Sequence, residues 1–500
     1  MPLPRLHPGL VPLIAAAATV LLSLGFLQAR PFPDEGIFVT GGWLASQGLL
    51  PYRDFFDIHS PGIFFVLGSF YRLLGSGLGL DLAGMDFLLA GRLLAVLVNA
   101  ATLLAIYFLA RKIFDAWTGA LAVVLHAVWL PVFYGFWAVI EPFTAFFSAL
   151  SVLALHRVVA EKRREPLDLL WLGLALGFTL VFKQTLLVFV AAMVLVAAAY
   201  LIAYRQTRHL VSLKTLAAVA GLATPLLLVL LPYALSNALP ALMQQTLSYA
   251  VENAGLLSNP GLKAEYLAVP LLLFFFTPLG FYWAARKGLN PFDSAFWERV
   301  ILFAWLLSTL PNLFPFVGCC HHLLPLSPPA AIISAGVVMK IMGNHYPRLK
   351  KVAFLALLLV LALNAFVALR LVGKDEFKGV KEVAAFLQAN STQRDRIFVV
   401  HDDPEVYFLA QRLPATKYIY YPFLSPQGFQ GMQAEIKADL QAFKPRFVVD
   451  FSGTGEPLNP ARNAEAEQWV LDEYDKVKTF EFESRYNDYY RYAYVYQRKG

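Results

Sequence analysis

Charged side chains are scarce. Asp, Glu, Lys and Arg supply 15% of the 500 residues, against roughly a quarter in an average soluble domain. So little charge does not cover a soluble globule of this size, which excludes an ordinary soluble enzyme. Cysteine is scarcer still. Only Cys319 and Cys320 occur, adjacent in sequence, so there is neither a disulfide framework nor a spaced thiolate metal motif, and the redox compartment stays unread. Solenoid periods and low-complexity tracts are also missing. A formal charge of +7 and a pI near 9.1 would suit a nucleic-acid binder, yet no basic face exists. The Lys and Arg residues sit in short clusters between apolar blocks, which excludes nucleic acid as a partner.

Hydrophobic residues fill the chain instead, at 58% with a mean hydropathy of +0.57. They come in blocks such as Val352–Val372 and Leu216–Leu235, each near the roughly 20 residues a helix needs to cross a bilayer. About eleven spans are predicted, at 9–29, 90–110, 116–135, 139–158, 167–182, 185–204, 215–235, 266–285, 296–311, 322–342 and 352–372. The first lacks a small-residue cleavage site before Arg30–Asp34 and is read as a retained span rather than a signal peptide.

With a cytoplasmic N-terminus, the inside loops receive Arg111 and Lys112, His156 to Arg164, Arg205 to Lys214, Arg286 and Lys287, and His345 to Lys351. This is the distribution the positive-inside rule demands. Gly62–Leu74 is apolar but short, and a span there would invert every later loop. It is therefore laid along the interface. Residues 30–87 become one long outer loop with two interfacial helices, about Gly36–Gln47 and Pro61–Leu74.

After Val372 the composition turns polar. Lys378–Gln388 and Glu405–Gln411 have helical spacing, while Arg396–Val400 and Arg446–Phe451 read as strands, which together predict a small α/β unit. The expected architecture is a multi-pass α-helical membrane domain over 1–372 and a soluble α/β domain over 373–500. An odd number of spans puts that domain outside, with the long loop. His401-Asp402-Asp403-Pro404-Glu405 reads as a capping turn before the second helix.

Two polar clusters interrupt the outer loop. Pro33-Asp34-Glu35-Gly36 follows the first span, and Pro51-Tyr52-Arg53-Asp54-Phe55-Phe56-Asp57-Ile58-His59-Ser60-Pro61-Gly62 comes later in the same loop. Acids, a base and a histidine here crowd an apolar surface. Together these motifs resemble the GT-C glycosyltransferases, nearest to the polyprenyl-phosphate-mannose protein mannosyltransferases and the lipid A aminoarabinose transferases. In the mannosyltransferases the second motif resembles Phe-Asp-x-His-Pro-Pro-Leu-Gly. This chain has Ser60 in place of the first of those prolines and departs after Gly62. The likeness continues through Ala90-Gly91-Arg92-Leu93-Leu94, Glu141-Pro142, Gly177 to Gln184 and His321 to Leu326, and so spans nearly the whole chain.

The resemblance implies a bundle of transmembrane helices in the plasma (inner) membrane, with an extracytoplasmic active site and an inverting, single-displacement transfer. The donor would be a polyprenyl-phosphate-linked sugar and the acceptor a hydroxyl on a lipid, glycan or protein. The residues suit that chemistry. A hydroxyl attacking an anomeric carbon needs a base, for which Asp34 is the candidate, with Glu35 as its orienting neighbour. A departing polyprenyl phosphate is a stable anion that needs cations rather than an acid. Lys183, costly within an apolar pair of spans, is the first candidate, joined by Arg53, His321 and His322. Asp57, His59 and Glu141 are assigned to the acceptor or to support of Asp34. No spacing demands a cofactor, and a divalent cation on carboxylate oxygens stays open. A transporter or flippase of a lipid-linked sugar is the competing reading, as is a noncatalytic scaffold, although no paired repeats are found.

Overall fold

The computed structural model describes residues 7–26, 33–163, 165–204, 213–249, 277, 280, 294–310, 320–343, 347–371, 378–400, 403–421, 426–452, 458, 464–482 and 492–500. In chain order the helices are α1 Val11–Ser23, α2 Pro33–Ser46, α3 Gly62–Arg72, α4 Met85–Ile113, α5 Ala116–Trp129, α6 Ile140–Val159 and α7 Pro166–Phe182. They continue with α8 Leu187–Ala203, α9 Leu213–Leu235, α10 Leu239–Met243, α11 Ser294–Thr309, α12 Ser327–Gly343 and α13 Pro347–Leu371. Helices thus fall on the predicted spans, except at 266–285, which lies outside the described residues apart from Thr277 and Gly280. Six helical stretches among the described residues are long and apolar enough to cross a membrane: Pro8–Phe26, Met85–Ile113, Ile140–Val159, Gln184–Ala203, Lys214–Leu235 and His321–Gly343. The chain is a multi-span membrane protein.

The chain divides into two compact units. The first comprises Met1–Phe26, Leu93–Pro232 and Ser258–Val372, and the second Leu27–Arg92, Tyr233–Leu257 and Gly373–Gly500. The division at Val372 coincides with the composition change, but the outer-loop segment groups with the C-terminal residues, whereas the sequence places it with the spans.

Within the first unit, α7 and α9 cross with their backbones nearly touching. A Cβ on Gly173 would lie 2.1 Å from the Ala218 carbonyl oxygen, one on Gly177 2.5 Å from that of Leu222, and one on Gly221 2.3 Å from that of Leu170. Glycines four apart on one helix face allow this approach, in which van der Waals packing replaces the missing hydrophobic drive. α6 packs beside α7 through stacked rings, Phe143 on Phe182 at 4.8 Å and Phe147 on Phe178 at 4.9 Å.

Within the second unit, α2 and α3 form a tight hairpin. Gly41 and Gly42 face Phe64 and Leu67 at distances that leave no room for a side chain. α2 is buried all round from Glu35 to Leu44, because the C-terminal segment also covers it: Thr40 Oγ1 donates to the Pro404 carbonyl at 3.0 Å. The interfacial placement expected for α2 is therefore corrected to a core helix. The rest of the unit comprises helices α14 Lys378–Asn390, α15 Glu405–Ala410, α16 Pro426–Phe443 and α17 Glu465–Glu473, and strands β1 Ile397–Val400, β2 Phe447–Ser452, β3 Tyr474–Glu481 and β4 Tyr492–Arg498. The sheet order is β1-β2-β4-β3, with β1 parallel to β2 and the other pairs antiparallel. Its centre is apolar, as in Val399 beside Val449 beside Val495. The predicted capping turn is corrected as well: α15 starts after Pro404 with no side-chain cap, and His401 and Asp402 lie outside the described residues.

Candidate functional site

Two groups of polar side chains stand out, one in each unit. In the first, Glu141 sits in the opening turn of α6, where a helix favours negative charge, and Lys183 caps the C-terminus of α7, where it favours positive charge. Lys183 Nζ donates to Glu141 Oε1 at 2.8 Å. His321 and His322 lie on the 3₁₀ turn Cys320–Leu326 that leads into α12. His322 Nδ1 is 3.0 Å from the same Oε1 and 3.3 Å from Lys183 Nζ, and His321 Nε2 is 3.9 Å from Oε1. Glu141 and His321 are almost fully buried, whereas the Lys183 and His322 side chains keep 14% and 13% exposure. The accessible edge of the cluster is thus its nitrogen side.

Glu141, His321 and His322 offer one oxygen and two nitrogens within 4.8 Å of one another. Glu141 Oε2 is buried without a hydrogen-bond partner among the described residues. These donor types suit zinc, but the Lys183 ammonium already holds Oε1, and a dication would face it a few ångströms away. The set as arranged is filled by an ammonium.

In the second unit, Glu35 is clamped. Arg92, near the start of α4, donates from Nε to Glu35 Oε1 at 2.9 Å and from Nη2 to Oε2 at 2.7 Å, with the side chains 2% and 0% exposed. Asp34 is only half-buried. A Cβ on the adjacent Gly36 would lie 2.6 Å from Glu405 Oε2, so the end of that side chain fills the space beside the glycine.

The loop after α2 is held by three stretches of chain. Tyr52 takes a left-handed backbone conformation (φ 66°), and its hydroxyl donates to the His59 carbonyl. Gln245 receives the Asp57 amide at 3.1 Å and donates to the Tyr52 carbonyl at 2.8 Å. The Phe56 amide donates to the Lys417 carbonyl at 2.7 Å, and the Phe56 ring packs against Tyr249, Tyr418 and Tyr420. Asp57 is fully buried and its Oδ1 is 2.9 Å from His59 Nδ1. Burial and then the Asp57 charge push the Tyr249 phenol up to about 12. Burial, Asp57, Tyr249 and Asp34 in turn raise that of Tyr420 well above its usual value. Both phenols stay protonated hydrogen-bond donors in neutral solution.

Of the predicted phosphate ligands, Lys183, His321 and His322 come together, with Glu141 among them. Arg53 does not join them. It forks onto its neighbour Asp54 at 2.8 and 2.7 Å with its side chain 45% exposed. Arg92 and Glu405 entered the sequence reading only inside motifs and without a role in the site, and Gln245 and Tyr420 did not enter it. Arg92 alone carried a signal, since a lone arginine in an apolar helix needs a partner.

A family model described as dolichyl-phosphate-mannose-protein mannosyltransferase matches residues 59–234. Among solved structures, ArnT from Cupriavidus metallidurans bound to undecaprenyl phosphate shares 12% identity over 97% of each chain, with a TM-score of 0.58. The Archaeoglobus fulgidus oligosaccharyltransferase in complex with zinc and sulfate shares 12% identity over 88% of this chain and 68% of that one, at 0.54. The mycobacterial arabinofuranosyltransferase AftD shares 16% identity at 0.56. It is matched over 99% of this chain and 42% of its own, so this chain spans less than half of it. None of the curated proteins matches. The chain thus resembles the GT-C glycosyltransferases of the mannosyltransferase and ArnT kind, and it has their fold.

Proposed function

We propose that the chain is a membrane glycosyltransferase that moves a sugar from a polyprenyl-phosphate donor to an acceptor hydroxyl, with inversion, on the extracytoplasmic face of the plasma membrane. The observation that carries this reading is the division of labour in the Asp34–Glu35 pair. Arg92 holds both oxygens of Glu35, which is fully buried, whereas Asp34 beside it is only half-buried, so Asp34 is the carboxylate we assign to take the proton. Glu35 and Arg92 fix the turn that aims it. As the acceptor oxygen bonds to the anomeric carbon, the bond to the phosphate breaks and its electron pair leaves on the phosphate oxygen. Within the first unit, Lys183 and His322 on the accessible edge of their cluster carry nitrogen groups of the kind that such a charge needs. Glu141 keeps the ammonium in place, and no step needs a metal.

The test compares Asp34→Asn and Glu35→Gln in purified protein given a panel of radiolabelled undecaprenyl-phosphate sugars. Asp34→Asn keeps lipid-phosphate binding and loses transfer by about 10²–10⁴-fold. Glu35→Gln loses less, and chiefly through stability. Near-normal turnover in Asp34→Asn with an inactive Glu35→Gln would move the base to Glu35. Full activity in both, or label that crosses the bilayer without being transferred, would replace the transferase by a translocator.

A further inference from the structure

Asp57 is a buried carboxylate used on one side only. Its Oδ1 accepts the His59 amide at 2.6 Å and faces His59 Nδ1 at 2.9 Å. Its Oδ2 is buried with no hydrogen-bond partner among the described residues. A buried, half-satisfied carboxylate is costly unless positive charge faces it. The imidazole on Oδ1 supplies that charge when it takes a second proton. Because the carboxylate fixes Nδ1 as the N–H, the basic nitrogen is Nε2. The two side chains also differ in access, with His59 26% exposed and Asp57 at 0%.

This pair touches the helix that carries Asp34. The His59 ring meets Phe38 edge-on with centroids 4.8 Å apart. Phe38 follows Asp34 by four residues on α2, and a helical aromatic side chain leans over the turn that precedes it. The contact therefore brings the imidazole towards the Asp34 turn. Among the described residues, the Asp57 that faces His59 is sensed by Tyr249 and by Tyr420 from the C-terminal segment, and the Tyr420 phenol senses Asp34 on α2 as well.

We infer that His59, held by Asp57, is the proton exit for Asp34. The inference rests on the transferase reading. After transfer, the former acceptor proton sits on the Asp34 carboxyl, which must lose it before another turnover. His59 Nε2 takes that proton, Asp57 stabilises the imidazolium so formed, and the exposed edge of the ring releases a proton to bulk water or buffer. No oxidant or further reactant is needed. Asp57 is a positioning residue and His59 a relay.

The experiment uses the full chain in phospholipid vesicles with a radiolabelled undecaprenyl-phosphate sugar, scoring transfer and hydrolysis at low and high imidazole. His59→Ala should lower kcat by about 10²-fold, with kcat/KM for the donor falling far less, because proton exit follows the chemical step. Added imidazole should restore kcat saturably in His59→Ala but not in Asp34→Asn. A full kcat in His59→Ala, or a loss that imidazole does not restore while lipid-phosphate binding is intact, overturns the relay. Should His59→Ala fail to fold, the wild-type protein decides the matter through its solvent deuterium effect. An effect larger on kcat than on kcat/KM supports the relay, and equal effects refute it. No turnover by the wild-type protein with any donor of the panel would remove the transferase reading itself, and the relay with it.

Discussion

Removing Arg92 should unfold the second unit more readily than removing any single surface charge. Glu35 at 0% exposure would lose charge-assisted hydrogen bonds of 2.9 and 2.7 Å. Breaking a buried ion pair from one side costs about 3–5 kcal/mol. Two hydrogen bonds to a charged group, at about 1.5–3 kcal/mol each, give a similar total. At about 1.4 kcal/mol per decade, the open population around α2 rises roughly a hundredfold to a few thousandfold. Hydrogen exchange of the α2 amides in detergent micelles measures that population directly, and thermal unfolding checks it. Arg92→Met and Glu35→Leu should each show the loss. The double variant should recover most of it, since an apolar pair of similar volume is often neutral in place of a buried ion pair. If either single variant exchanged like the wild type, the pair would not be holding α2, and the assignment of Asp34 as the aimed carboxylate would lose its support.

Lys183→Ala should weaken undecaprenyl phosphate binding by about tenfold or more, the scale of one charge-assisted hydrogen bond, and Lys183→Arg should weaken it less; equal affinities would reduce Lys183 to a structural partner of Glu141. Chelators should leave transfer unchanged, while added zinc should inhibit by displacing the Lys183 ammonium from Glu141, an inhibition that His321→Ala abolishes; activity lost to a chelator and restored by a metal would reverse the roles. Asp395 accepts the Thr392 amide at 2.7 Å, and that hydrogen bond holds its carboxyl below the usual range. Its contribution to stability is therefore complete above the unfolded carboxyl value and disappears as the pH falls through the lowered one. Asp395→Asn should flatten the acid limb of unfolding, and an unchanged limb would refute this.

Several spans were legible because a bilayer writes long apolar runs into a chain, and α6, α9 and α12 lie where such runs predict them. The first two strands were legible because β1 and β2 are buried runs of β-branched and aromatic residues. The later strands were not: β3 is almost wholly exposed apart from Tyr474, so it carries no apolar run. Lys183 was picked out as a cation costly among apolar spans, and Asp34, Glu141 and the two histidines by the motifs in which they stand. Their partnerships were not, since Glu141 meets Lys183 and His322 from 42 and 181 residues away. Gln245 gave no signal at all. An amide becomes informative only once its two ends are seen holding Asp57 and Tyr52. Arg53 is engaged locally, by the aspartate beside it.

Gly36 and Glu405 also set an order in time. The proposed base is made first, whereas the carboxylate that fills the space beside Gly36 and the carbonyl that holds Thr40 are made nearly four hundred residues later. Domains generally complete themselves as they emerge during synthesis. Here the helix that carries Asp34 must wait until the intervening spans have been inserted. A chain stalled or cut before Glu405 would carry the base without the packing that holds its turn, so catalytic competence would wait for the segment around Glu405 to be made.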